Sequence, residues 1–284
     1  MQIARHINSL QQELAAITIQ GESVALVPTM GNLHGGHISL IRQARKLADR
    51  VVVSIFVNPT QFDREEDLDA YPRTFDEDVA KLEKAKVDLL FSPDVDEIYR
   101  PRSAATSIHV AGLSDILEGD SRPGHFDGVA TIVAKLFNLV QPDVALFGEK
   151  DFQQLMIIRR MAEDLDFPVA VLGLPTVRED DGLAMSSRNG YLDATERAQA
   201  PVLFSALREI EDGLRDGKRD YAQLEQNAVT VLEEAGFRPD YVTIRRAADL
   251  ESPAADEQNL VILAAAWLGS ARLIDNIPVD LAVE

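Results

Sequence analysis

The chain has 284 residues, of which 46% are hydrophobic and 26% charged, with a net charge of −19 and no cysteine. That composition is ordinary for a globular protein with a substantial core, and the length suggests two domains. It excludes disulfides, thiol nucleophiles and Cys-ligated metals, and so strong an acidity argues against a broad nucleic-acid surface, which needs positive charge.

In chain order, residues 1–20 are amphipathic and lack the apolar centre of a signal peptide. No later apolar run reaches the roughly 20 residues of a membrane span, so a membrane is not an expected partner. The net charge of −19 speaks against a nucleic-acid partner, and the absence of cysteine fits a reducing cytosol, so a cytoplasmic protein is expected. Residues 24–27 read as a buried strand that breaks at Pro28. A Gly-containing turn follows, then two imidazoles in His34-Gly35-Gly36-His37, then a helix over 37–48 with Leu40, Ile41, Ala44, Leu47 and Ala48 at helical spacing. A strand that hands over to a helix through such a turn offers free N–H groups and a helix dipole to phosphate. Two imidazoles there can also donate to phosphate oxygens. The same pair could instead be half of a metal site, or one histidine could simply be packed in the core.

Residues 51–57 form a β-branched run typical of a strand covered on both faces. It leads to Asn58-Pro59-Thr60-Gln61, whose uncharged amides suit hydroxyl and carboxylate groups or else cap the turn. The acidic run 63–69 is expected to be a solvated loop. Asp76, Glu77 and Asp78 open a helix over 76–85, where acids favour the dipole; water-mediated Mg²⁺ binding is the lesser alternative. A strand at 88–91 follows. Arg122-Pro123-Gly124-His125 reads as a turn, either exposed or able to cover a site. Then come a helix over 129–140, a strand over 144–147, a helix over 152–165 and a strand over 169–172. Between them, Gly148-Glu149-Lys150-Asp151 offers a cation for phosphate, while Asp151 and Gln154 also fit a capping box. Repeated βα units imply an α/β fold, a parallel sheet with helices on both faces. In such sheets ligands sit beyond the carboxyl ends of the strands, where the loops holding His34, Gln61 and Lys150 should converge.

Near Pro175 the pattern changes. The loop Ala184-Met185-Ser186-Ser187-Arg188-Asn189 could ligate phosphate or be a surface turn. A long helix is expected over 193–213, opened by a capping box from Asp193 to Glu196. Another covers 221–235, closed by Gly236. Strands are expected at 241–245, 260–268 and 271–274, the last two joined through Gly269-Ser270. Residues 1–175 and 176–284 are therefore expected to be separate domains, the second smaller and α+β.

Taken together, Pro28-Thr29-Met30-Gly31-Asn32-Leu33-His34 through His37, Phe56-Val57-Asn58-Pro59-Thr60-Gln61-Phe62, Tyr71-Pro72-Arg73-Thr74, Arg122-Pro123-Gly124-His125-Phe126, Gly148-Glu149-Lys150-Asp151-Phe152-Gln153-Gln154 and Met185-Ser186-Ser187-Arg188-Asn189 closely resemble the pantoate–β-alanine ligase family. The paired-histidine element alone is shared across the wider nucleotidylyltransferase superfamily. The resemblance implies a Rossmann-like first domain, a dimer, and ATP with Mg²⁺. It implies that pantoate is activated as an adenylate and then captured by β-alanine to give pantothenate, AMP and pyrophosphate.

By matching position, the resemblance puts ATP on Met30, Gly31, Asn32, Leu33, His34, Gly35, Gly36 and His37, on Gly148, Glu149, Lys150 and Asp151, on Val177, and on Met185, Ser186, Ser187 and Arg188. It makes His34, His37, Lys150 and Arg188 catalytic, and puts the pantoate and β-alanine side on Gln61 and Gln154. Arg122 and His125 match a nearby segment.

Overall fold

The computed structural model describes residues 1–62, 65–100 and 105–282. Chain contacts divide it into two units, Met1–Glu149 with Gln154–Pro175, and Lys150–Gln153 with Thr176–Glu284.

The first unit starts with β1 (Gln2–Ala4), α1 (Ile7–Ile19), β2 (Val24–Thr29), α2 (Gly35–Leu47) and β3 (Arg50–Ile55). A single 3₁₀ turn, Pro59–Gln61, precedes α3 (Glu65–Ala70), α4 (Phe75–Lys84), β4 (Leu89–Phe91), α5 (Val95–Ile98), α6 (Glu118–Ser121) and α7 (His125–Val140). It ends with β5 (Val144–Gly148), α8 (Phe152–Asp164) and β6 (Ala170–Leu174). The strands make one six-stranded sheet in the order β1-β4-β3-β2-β5-β6, parallel at every pairing.

The central strands are apolar in both directions because both faces are covered. Ala25, Val27, Val51, Val53 and Ile55 join Leu40, Ile41 and Ala44 of α2 and Leu82 of α4 in one buried cluster. Leu26 and Val52, at the alternate positions, are fully buried on the other face. At the amino ends of the central strands, carboxylates finish the backbone pairing. Asp143 Oδ2 accepts the N–H of Val24 at 2.7 Å, and Asp88 Oδ2 accepts that of Val51 at 2.9 Å.

From β2 the chain proceeds to β3 on one side, whereas β5 and β6 lie on the other. The order therefore reverses between β2 and β5. Such a switch point opens a crevice beyond the carboxyl ends of the strands, because the loops diverge to either side.

The second unit comprises α9 (Ala194–Gln199), α10 (Val202–Arg215), α11 (Tyr221–Glu234), β7 (Arg238–Arg246), β8 (Asn259–Leu268) and β9 (Ala271–Asp280). Its three strands are antiparallel in the order β7-β8-β9. Leu203, Leu207 and Ile210 of α10 and Leu224 and Leu232 of α11 bury against Ile244, Ile262 and Leu273 of the sheet.

Several expectations from the sequence need correction. The helix expected over 193–213 is two helices, because Pro201 has no N–H to continue the ladder; it stands as the cap residue of α10. The final strand does not stop at 274 but runs to Asp280. Pro278 is tolerated there because β9 is an edge strand that needs donors on one side only. The acidic run 63–69 is not a loop throughout, since α3 begins at Glu65; Asp63 lies outside the described residues. Val283 and Glu284, at the end of the expected second domain, also lie outside them.

Candidate active site

In the first unit the site starts from a turn. Gly31 and Asn32 follow β2 with φ of 82° and 49°, both left-handed. Gly31 suits the position because it has no Cβ to strain there, and an added Cβ would stand 3.1 Å from Asp78 Oδ2. Asp78 is 1% exposed and holds the turn from below. Its Oδ2 accepts the N–H of Asn32 and its Oδ1 that of Leu33, each at 2.8 Å. Lys81 donates to Leu33 O at 2.9 Å, one turn further along α4. The acids at the start of α4 thus include one that shapes the loop rather than merely facing the dipole.

The turn delivers His34 to the N-cap of α2. Its Nδ1 accepts the N–H of Gly36 at 3.2 Å, and the N–H of His34 donates to His37 Nδ1 at 3.3 Å. This is a reciprocal capping box in which histidines take the usual Ser and Glu places. The two rings lie 4.1 Å apart. Both Nδ1 atoms face backbone N–H groups, which fixes the orientation of each ring at the start of α2.

Next to β2, β3 ends and the chain turns through Pro59–Gln61. Asn58 and Gln61 are both buried, at 1% and 9% exposure. Asn58 Nδ2 donates to Gln61 Oε1 at 3.0 Å and to Gly128 O at 3.1 Å. Gln61 Nε2 lies 3.0 Å from Met30 Sδ, which joins this amide pair to the turn after β2. Gly128 on α7 allows the approach, since a Cβ there would stand 2.4 Å from Thr60 O.

The Arg122 segment is not a free turn. His125 Nδ1 donates to Gln61 O at 2.7 Å and Arg122 Nη2 donates to the same oxygen at 3.2 Å. Arg122 Nη1 also donates to His125 Nε2 at 3.2 Å, a contact that requires Nε2 to carry no proton. Two side chains thereby fix the main chain that carries Gln61. Gly148 ends β5 on the other side of β2, Glu149 follows it half-buried, and Gln154 is half-buried in the first turn of α8.

In the second unit, Lys150, Asp151, Val177 and the segment 185–188 are organised by one strand. Asn276 of β9 donates through Nδ2 to Lys150 O at 2.8 Å. Its neighbour Asp275, 4% exposed, accepts Arg178 Nη1 at 2.6 Å and Nη2 at 2.9 Å. Arg178 also donates to Gly182 O and lies 3.5 Å over the Phe204 ring. It anchors a short hairpin in which the N–H of Met185 donates to Val177 O at 2.9 Å. Ser186 then caps the turn that carries Ser187 and Arg188, its Oγ accepting the N–H of Arg188 at 3.2 Å. Lys150 Nζ lies 3.9 Å from Asp151 Oδ1.

Asp78, Asp275 and Asn276 were not singled out by sequence reasoning. Asp78 stood among three consecutive acids with nothing local to distinguish it. Asp275 and Asn276 did carry a signal, two polar residues between apolar strand positions, which when buried must have dedicated partners. Among the described residues no group of three His, Cys, Asp or Glu side chains could hold a metal ion. No helix among them is long and apolar enough to cross a membrane.

A parallel α/β sheet with a histidine-capped helix at its switch point, followed by a smaller antiparallel unit, defines the class of nucleotide-handling α/β proteins. The profile of the Pantoate-beta-alanine ligase family matches residues 2–278, and the chain belongs to that family. It is an enzyme of the ligase class. A relative from Thioalkalivibrio sulfidiphilus (strain HL-EbGR7), Pantothenate synthetase, is 62% identical over 262 residues, which cover 92% of each chain. The crystal structure of the pantothenate synthetase from Thermus thermophilus matches with a TM-score of 0.91 at 46% identity, over 98% of this chain and 99% of that one. The Francisella tularensis pantoate-beta-alanine ligase, solved with beta-gamma ATP and beta-alanine, matches with a TM-score of 0.82 at 34% identity, over 98% and 97% of the two chains.

Proposed function

We propose that the enzyme condenses pantoate with β-alanine in two steps driven by ATP. The pantoate carboxylate attacks the α-phosphorus, giving pantoyl adenylate and pyrophosphate. The β-alanine amine then attacks the acyl carbon, releasing AMP and pantothenate. The observation that carries this reading is the joining of a buried amide pair, Asn58 and Gln61, to a histidine-capped helix start through Met30. One half suits an uncharged hydroxy-acid body and the other suits a polyphosphate.

Within this reading the N-terminal domain spans 1–175 and the C-terminal domain 176–284. ATP lies along 30–37, with Gly148, Glu149, Lys150, Asp151 and Val177, and along Met185, Ser186, Ser187 and Arg188. Gln61 and Gln154 hold pantoate. Attack by an anion on a polyanion needs its repulsion relieved. His34, Lys150 and Arg188 neutralise the charge that grows on the leaving pyrophosphate, and His37 is the proton donor to it. No protein nucleophile takes part.

The protein's own described residues do not make a carboxylate cage for Mg²⁺, since Asp78 is engaged with two peptide N–H groups. The ion would arrive with the substrate as Mg·ATP, held by phosphate oxygens as is common for this metal. The acyl adenylate is prone to hydrolysis, so water must be kept from it until the amine arrives. The working form is a cytoplasmic homodimer with small-molecule substrates only.

The order of steps is tested by isotope exchange. Labelled pyrophosphate is expected to enter ATP in the presence of pantoate without β-alanine, and AMP to appear only when both are supplied. Exchange that requires β-alanine, or a dinucleotide product in place of AMP, would rule the scheme out.

A further inference from the structure

Amide side chains present a donor on one side and an acceptor on the other, and which one meets a substrate depends on what holds them. For Asn58 the polarity is set by groups with a single role. The N–H of Thr60 donates to its Oδ1 at 3.4 Å, and the carbonyl of Gly128 accepts from its Nδ2 at 3.1 Å. Two hydroxyls reinforce the oxygen end. Thr60 Oγ1 and Tyr99 OH each donate to Oδ1 at 2.9 Å. The Asn58 amide then donates to Gln61 Oε1 at 3.0 Å. Gln61 is thereby left with Nε2, a two-hydrogen donor, on the Met30 side. A thioether is a weak acceptor, so a carboxylate or hydroxyl oxygen placed there would take that donor in its stead.

We propose that Tyr99 is a positioning residue for the acid substrate: through Asn58 it keeps Gln61 turned with its N–H groups toward a pantoate oxygen. The inference rests on the reading of Gln61 as a pantoate ligand. Tyr99 follows α5, far from the other members in sequence, and no motif marks it. Its ring lies 6.2 Å from Phe56 and 5.7 Å from Lys135 Nζ, which fixes the direction of its hydroxyl. Burial pushes the phenol above its ordinary range, opposed by the hydrogen bonds to Thr60 and Asn58, so the group stays protonated and able to donate at neutral pH. Hydrogen bonds in such a chain polarise one another, so a donor two links away still strengthens the last one.

The test measures pantoate-dependent exchange of pyrophosphate into ATP, and full turnover, in the unmodified chain and in Tyr99→Phe. The variant keeps the ring and removes only the donor. The KM for pantoate is expected to rise about three- to tenfold, the worth of one neutral hydrogen bond. The KM for ATP and for β-alanine, kcat at saturating pantoate and the melting temperature should each stay close to the unmodified values. Thr60→Val removes the other hydroxyl donor to the same oxygen and is expected to shift the same constant in the same direction, so the idea is tested even if Tyr99→Phe does not fold. An unchanged pantoate KM in the folded variants overturns the inference. So does a parallel rise in all three KM values with a lowered melting temperature, which marks a structural role. Absence of pantoate-dependent exchange in the unmodified chain overturns the proposed reaction itself, and this inference with it.

Discussion

Asp78 shows how one side chain can decide the shape of a loop it does not belong to. Each of its oxygens accepts a peptide N–H of the turn after β2, and Thr74 Oγ1 adds a third donor at 3.1 Å. Replacing it with Asn would aim an amide N–H₂ at a peptide N–H and remove the charge from the remaining bonds. Charge-assisted bonds of this kind contribute roughly 1.5–3 kcal/mol, so Asp78→Asn is expected to lose about 2–4 kcal/mol of stability. Adenylation should slow at least tenfold as His34 and His37 lose their fixed start. Melting curves and pyrophosphate exchange check this together; a variant that melts normally and exchanges normally would show that the turn holds itself. At this scale the sequence made the histidines legible, because they stand in a motif, and Gln61, because it follows a strand. It left Asp78 among three look-alikes, since only burial distinguishes it from Asp76 and Glu77.

Elements matter through what they carry at their ends and edges. Strand β9 is an edge strand, yet Asp275 and Asn276 make it the support for both the hairpin with Met185 and the peptide at Lys150. Substituting Asp275→Asn would leave Arg178 without its charge partner. Breaking a fully buried pair costs roughly 3–5 kcal/mol; with Arg178 retaining 19% side-chain exposure, a loss of about 2–3 kcal/mol is expected. The KM for ATP should rise while that for pantoate holds, because the hairpin and Arg188 belong to the nucleotide side of the proposed scheme. Steady-state kinetics with each substrate varied in turn would expose an equal effect on both and so refute the division of labour. The capping box at Asp193 was readable from four letters, and the structure has it: Asp193 Oδ1 accepts from Thr195 and Glu196, and Glu196 accepts in return from the N–H of Asp193. The length of β9 was not readable, because two polar residues and a proline argue locally for a strand end. Tertiary partners for the first two and an edge position for the third overrule that.

For the whole molecule, stability against pH offers a further check. His109 has its ring between Asp127 Oδ1, 2.9 Å from Nδ1, and Asp115 Oδ2, 3.1 Å from Nε2. The bond to Asp127 raises its pKa above the ordinary 6.5, with Asp115 adding to the effect and solvation lost on burial opposing it. A folded-state pKa above the unfolded one means that the protonated ring favours folding. The contribution is complete below about pH 6.5 and disappears as pH rises through the higher folded-state value. His109→Gln is therefore expected to lower the melting temperature at pH 6 and to change it far less at pH 8.5. Equal losses at both values would assign the effect to packing.

What the sequence determined by itself is local: apolar runs that become buried strands, helix starts with their caps, a chain of motifs sufficient for family resemblance, and the absence of cysteine chemistry. Tertiary structure alone decided the strand order that puts the switch point between β2 and β5, the choice of Asp78 as the one acid beneath the turn, and the hold of Arg122 and His125 on Gln61. The reason is physical. Periodicity and capping depend on neighbours within a few residues, whereas a buried polar atom must find its partner wherever the chain brings one, and that partner carries no mark in the local sequence.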